Sequence, residues 1–181
     1  MVPQPMWSKQ RLVASWYPGF KLAVFLLLIA NTAVFILQGT ASEGLDSAAW
    51  LILLLLFELE TAHGKRFASR AAVFVVHNAR FVAGVAVVLA AIGYLGENDW
   101  LDAANAWLWI AVVVLLEAQI RFGERLARYR VSIETVAAML YLALGVLVFA
   151  WAWRKEWFDA YDAALWLLAF ATIEMNVLRK V

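Results

Sequence analysis

The sequence predicts an all-α membrane protein of six transmembrane helices, arranged as three two-helix hairpin repeats with both termini in the cytoplasm. Three observations carry this. First, hydrophobic residues make up 65% of the chain and charged residues 16%, against ~45–50% and ~25% in a soluble domain; a globule with that excess would expose apolar patches and aggregate. Second, six stretches approach the ~20 apolar residues that cross ~30 Å of hydrocarbon: 20–37, 48–61, 80–95, 101–119, 133–153 and 161–178. Third, charge alternates between the two sets of loops. Of the 15 Lys and Arg residues, only Arg154 and Lys155 fall between spans one and two, three and four, or five and six. That set instead holds Glu43, Asp46, Glu97, Asp99, Asp102, Glu156, Asp159 and Asp162. The positive-inside rule then puts both termini in the cytoplasm of a bacterial-type inner (plasma) membrane.

In chain order, residues 1–19 form a cytoplasmic segment whose Pro3, Pro5 and Pro18 hold Trp7, Trp16 and Tyr17 at the headgroups. The first hairpin covers 20–62. A signal-peptide reading of its first span, with small residues at Thr40-Ala41-Ser42, would leave five spans and remove half a repeat, so a retained span is expected. The second span is the shortest. Residues 63–78 form a basic loop in which Lys65, Arg66 and Arg70 precede an apolar run, the pattern of an interfacial helix or elbow. The second hairpin covers 79–121. Residues 122–135 form a second basic loop; Arg121, Arg125, Arg128 and Arg130 make an amphipathic helix extension suited to anionic headgroups or an acidic partner. The third hairpin covers 136–178, and 179–181 end the chain in the cytoplasm.

The repeat rests on a frame in the even-numbered helices. Glu43, Asp46, Trp50 and Glu58 recur without gaps as Asp102, Asn105, Trp109 and Glu117, and again as Asp159, Asp162, Trp166 and Glu174. Two residues beyond each last Glu stands another polar side chain: Glu60, Gln119 and Asn176. The odd-numbered helices match only in apolarity. The leading acids suit the N-terminal end of a helix, as caps and as charges against its dipole. The Trp side chains, with Trp100, Trp107, Trp151, Trp153 and Trp157, suit an interfacial aromatic belt. Gly84, Gly93 and Gly145 offer close helix approach.

Glu58, Glu117 and Glu174 are the candidate intramembrane site. Each follows its leading acid by fifteen positions, ~22 Å along a helix, which places it in the inner third of the bilayer. There it either pairs with nearby cations, such as Arg121 four residues after Glu117, or converges with its equivalents to bind a cation, carry a proton or hold a partner's polar group. Glu60, Gln119 and Asn176 belong to the same candidate site. Asn31 suits a hydrogen bond to a neighbouring helix and breaks the pseudo-symmetry, since Ala90 and Leu147 stand at its equivalent positions. One and two turns before each Glu the same face is apolar (Leu54 and Leu51, Val113 and Ile110, Phe170 and Leu167), so a wide aqueous pore is excluded.

Other chemistry is absent from the sequence. There are no cysteines, and the two histidines, His63 and His77, have no ligand-spaced companions, so no metal site and no cofactor are expected. A net charge of +1 gives no field for nucleic acid. No G-x-S-x-G, H-E-x-x-H or phosphate loop occurs, and no span carries arginine at every third position. The expectation is a non-enzymatic membrane-embedded subunit or scaffold that packs against lipid, a membrane-protein partner or a copy of itself. The alternative is a small ion or proton translocator using the three glutamates.

Overall fold

A computed structural model describes residues 7–63 and 69–178; of these, the side chains of 7–17, 61–63, 70, 120, 123, 124, 127 and 172–178 lie outside the description. The described residues form six α-helices: α1 (Trp7–Gln38), α2 (Ala41–His63), α3 (Arg70–Glu97), α4 (Trp100–Leu126), α5 (Arg130–Arg154) and α6 (Trp157–Leu178), with a short 3-10 turn (Ala127–Tyr129) before α5. Among the described residues four stretches are long and apolar enough to cross a membrane: Pro18–Gln38, Ala71–Glu97, Trp100–Gln119 and Arg130–Arg154. The stretch expected in α2 is not among these, and the one expected in α6, 161–178, runs into residues whose side chains lie outside the description. In α2 the apolar run is bounded by Asp46 and Glu58, which leaves it short.

The tight turns have identifiable causes. Asn98 (φ 60°) and Lys155 (φ 68°) are left-handed. Asp99 N–H donates to the Tyr94 carbonyl at 3.0 Å, and Glu156 N–H to the Trp151 carbonyl at 3.0 Å, the bond that closes a Schellman C-cap. These two turns are related by the same 57-residue offset as Asp102 and Asp159. In the first turn Gly39 N–H donates to the Phe35 carbonyl at 2.9 Å, and a Cβ on Gly39 would meet Glu43 Oε2 at 2.6 Å.

At the opposite end the structure departs from the expected loops. Residues 64–68 of the expected elbow lie outside the described residues, and from Arg70 onward the chain is helical. Ser69 caps α3, its hydroxyl accepting from Ala72 N–H at 3.2 Å, and the helix runs unbroken from 70 to 97, because no proline interrupts it. From α4 into α5 the chain stays almost wholly helical, with a kink inside α4 at Phe122 (φ −121°, ψ 20°) and a second departure at Tyr129 (φ −106°, ψ 14°) where the 3-10 turn meets α5.

Each helix packs on the next, and α6 returns to α1, so the six close into a ring. The centre is filled by Leu28 of α1, Trp50 and Leu54 of α2, Val87 of α3, Trp109 and Val112 of α4, Leu144 of α5, and Trp166 and Ala169 of α6, all buried. The outside is apolar too: Leu37, Phe149 and Trp153 are 80%, 76% and 90% exposed, the arrangement a helix adopts toward lipid. Trp100, Trp107, Trp153 and Trp157 are exposed, as a belt requires, but Trp50, Trp109, Trp151 and Trp166 are core residues.

Of the three glycines read as packing sites, a Cβ on Gly84 or Gly145 would meet nothing within 4 Å, whereas one on Gly93 would lie 2.2 Å from Ser42 Oγ. Ser42 donates to Glu97 Oε1 at 2.7 Å and ties α2 to α3. Gly93→Ala therefore turns that hydroxyl away from its carboxylate. The expected loss is about 1 kcal/mol, read as a lower midpoint of unfolding in SDS–maltoside mixed micelles. Made in a Ser42→Ala background, the same change is expected to lose less.

Candidate functional site

Three residue types at positions one, four and eight of a helical segment lie within about 60° of one another, since each residue turns ~100°. The frame thus points its leading acid, its second polar residue and its Trp from one face. In the closed ring those faces meet. Glu43, Asp46 and Trp50 of α2, Asp102, Asn105 and Trp109 of α4, and Asp159, Asp162 and Trp166 of α6 all line one cleft at the end that carries the tight turns. The odd helices add Phe35, Tyr94 and Trp151, and Ser47, Ala163 and Phe170 complete the wall. The cleft encloses about 570 Å³ including its open mouth, with about 50 Å³ of accessible inner space, room for roughly four water molecules.

The floor is a cluster of rings. Trp109 and Phe170 have centroids 4.5 Å apart, Trp50 and Trp109 6.3 Å, and Trp50 and Phe170 meet edge to face at 6.4 Å. Above it stand five carboxylates, and among the described residues no lysine, arginine or histidine lines the cleft. Asp162 Oδ1 accepts from the Asn31 amide at 2.6 Å. Asp46 is 8% exposed; neither its Oδ1 nor the buried indole N–H of Trp50 makes a well-formed hydrogen bond, although the indole, one turn on, lies near enough to interact with the carboxylate. Asp159 lies ahead of the apolar stretch of α6; burial, then the nearby Glu43 and Glu156, raise its carboxyl pKa. The leading acid of α2 caps as expected, Glu43 Oε2 accepting from the Thr40 N–H while the Thr40 hydroxyl accepts the Glu43 N–H at 3.2 Å, a capping box; that of α4 does not. At the start of α4 it is Asp99 Oδ1 that accepts the Asp102 N–H, at 3.2 Å, which leaves the Asp102 side chain to the cleft.

The glutamates singled out from the sequence sit at the other end of the helices. Glu58 of α2 forms an ion pair with Lys21 of α1. Glu60 pairs with Arg80 of α3. Glu117 pairs with Arg121 on its own helix, and Arg130 pairs with Glu134 at 2.8 Å. Gln119 lines a small cleft with Glu134 and Tyr141. Among the basic candidates, Arg121, Arg125, Arg128 and Arg130 are exposed, and the Arg128 guanidinium lies 4.6 Å from the Tyr129 ring centroid. Lys65 and Arg66, and the side chains of Arg70, Glu174 and Asn176, lie outside the described residues. No three His, Asp or Glu among the described residues are placed to hold a metal ion together.

Sequence reasoning missed the aromatic ring of the odd helices. Phe35, Tyr94 and Trp151 each stand eight residues before the leading acid of the following helix, so the odd helices match in more than apolarity. That spacing was available in the sequence; the direction in which it points was not. No family model matches this chain, no curated protein is similar to it, and no solved structure matches it.

Proposed function

We propose that the chain is a non-enzymatic, membrane-embedded binding subunit that holds a positively charged ligand in the acidic cleft at its extracytoplasmic end. In this reading it has six spans in three repeated hairpins, 20–62, 79–121 and 136–178, with both termini at the cytoplasmic face of a bacterial-type inner membrane. One observation carries it: four sets of three sequence-equivalent residues, one member from each hairpin, line a single cleft of five carboxylates and, among the described residues, no cation. Carboxylates so grouped repel one another at the low effective dielectric of a partly dry site, and a bound cation relieves that repulsion.

Holding is favoured over conduction. Beneath the cleft the ring centre is closed by Trp109, Trp166 and Phe170 against Val112 and Leu54, and a continuous route needs polar lining. Glu58 and Glu117, which a proton or ion translocator would use, lie beside Lys21 and Arg121. The exposed apolar flanks, Phe149 and Trp153 among them, take lipid, a membrane-protein partner or a second copy, and the exposed arginines of the α4–α5 region meet anionic headgroups.

The chain has no cysteine, so one introduced thiol reports alone. Asn105→Cys in the cleft is expected to react from the extracytoplasmic side of intact spheroplasts with a membrane-impermeant cationic methanethiosulfonate. Relative to the reagents' intrinsic rates, it is expected to outpace an anionic one by about tenfold or more, the scale of electrostatic focusing in a charged cleft. Labelling only after the cytoplasmic face is exposed, or equal relative rates, overturns the proposal.

A further inference from the structure

We propose that the ligand of this cleft is an organic ammonium ion of about the size of tetramethylammonium, free or carried on a lipid headgroup, seated against the Trp50, Trp109 and Trp166 rings with Asp46 and Asp162 as its counter-charges. The inference rests on the reading of the cleft as a cation site and narrows it to one chemical class.

Two independent observations point to a ligand at this acidic cluster. Asp46 is nine-tenths buried, lines the cleft and leaves Oδ1 without a well-formed hydrogen bond, with the Trp50 indole N–H one turn on beside it. A buried carboxylate oxygen left so is costly unless something positive or hydrogen-bonding meets it. The second is the wall itself. A metal ion needs several oxygens converging within ~2.6 Å of one point, and no three carboxylates among the described residues are placed to do so. The acids instead stand apart around a floor of indole rings. Spread charge above aromatic rings suits a cation that is large, weakly hydrated and partly apolar, since the ring quadrupole attracts it and its carbon atoms bury against the rings. The inner space of about 50 Å³, roughly four waters' worth, matches an ammonium with a few carbon atoms. The mouth lies at the end of the bundle where headgroups are found, so both a dissolved ion and a lipid headgroup reach it.

Isothermal titration of the full chain in maltoside with tetramethylammonium chloride is expected to show saturable one-site binding. Potassium chloride and calcium chloride are expected to compete at least about tenfold more weakly. Asp46→Asn, close to isosteric, and Trp166→Leu are each expected to weaken binding about tenfold, with elution unchanged on size exclusion. Should either variant misfold, tetramethylammonium protection of Asn105→Cys from the cationic thiol reagent gives the same answer in a chain with intact acids and rings. A second arm titrates a short-chain phosphatidylcholine against a short-chain phosphatidylglycerol. Binding of the former assigns a headgroup, and binding of tetramethylammonium alone assigns a free ion; both support the proposal. Absence of binding by both ammonium probes, or calcium or potassium binding as tightly, overturns it. Preferential reaction of Asn105→Cys with the cationic reagent would in that case still stand for a cation site of another class.

Discussion

Trp109→Ala is expected to destabilise the bundle by about 3 kcal/mol, the largest loss from any single truncation at the ring centre. Trp109 is 5% exposed. It contacts three other helices: Trp50 on α2, Tyr141 on α5 at 6.5 Å between centroids, and Phe170 on α6. Between helices in lipid the hydrophobic effect contributes little, because acyl chains are as apolar as leucine, and packing contacts carry the association. Truncation removes those contacts outright. The lost volume is roughly 140 Å³, and at ~24 cal/mol per Å³ of residual cavity this gives about 3 kcal/mol. The neighbours are rings fixed by one another, so collapse into the gap is poor. SDS–maltoside unfolding of the purified protein checks the value. Trp153→Ala, at a residue 90% exposed, serves as the comparison and is expected to change stability by less than about 0.5 kcal/mol. A Trp109→Ala protein within 1 kcal/mol of the parent would mean that the ring centre does not hold the helices together.

How much of this was legible in the sequence depends on what each residue needed for its interpretation. The positions of the tight turns follow from the ends of the apolar runs, and four of those runs are visible from composition alone. The Glu117–Arg121 pair is legible because both ends lie on one helix, four residues apart. Lys21–Glu58 is not, because it joins two helices whose relative rotation no local spacing encodes. The same difficulty hid the cleft. The acid–Trp spacing says that Asp46 and Trp50 share a face, but not whether that face meets lipid or the ring axis. In a soluble protein the polar side of a helix marks the outside. In this chain the helices are apolar nearly all round, so that cue is lost. Trp50, Trp109 and Trp166 thus read equally well as a lipid-facing belt and as a core, and only the closed ring decides between them. The kink at Phe122 has no signal in the periodicity, and the continuity of α3 through 70–78 rests on the Ser69 cap and the absence of proline rather than on periodicity.

Asn31→Leu is expected to open the ring at its seam. The seam is where α1 meets α6, the first and last helices of the chain, joined by no turn. Asn31, 5% exposed, donates from α1 to Asp162 Oδ1 on α6 at 2.6 Å. One residue on, the hydroxyls of Thr32 and Ser47 stand 2.9 Å apart in a buried hydrogen bond between α1 and α2. Leucine fills much of the asparagine volume but supplies no donor, so Asp162 keeps its desolvation and loses the group that answers it. Removing one partner of a fully buried charged pair costs ~3–5 kcal/mol. Asp162 borders the cleft, where water reaches it, which brings the expected loss to about 2 kcal/mol. The double variant Asn31→Leu with Asp162→Leu removes both ends, and its stability is expected to recover by 1 kcal/mol or more relative to the sum of the single losses. Equal additive losses would show that the 2.6 Å bond contributes nothing across the seam. The same pair also bears on the cleft: freed from Asn31, Asp162 keeps its neighbour Trp166 but has Oδ1 to offer a cation. Asn31→Leu is therefore expected to tighten tetramethylammonium binding even as it loosens the bundle. Opposite signs of this kind are expected where a side chain is held by the fold at the expense of the ligand.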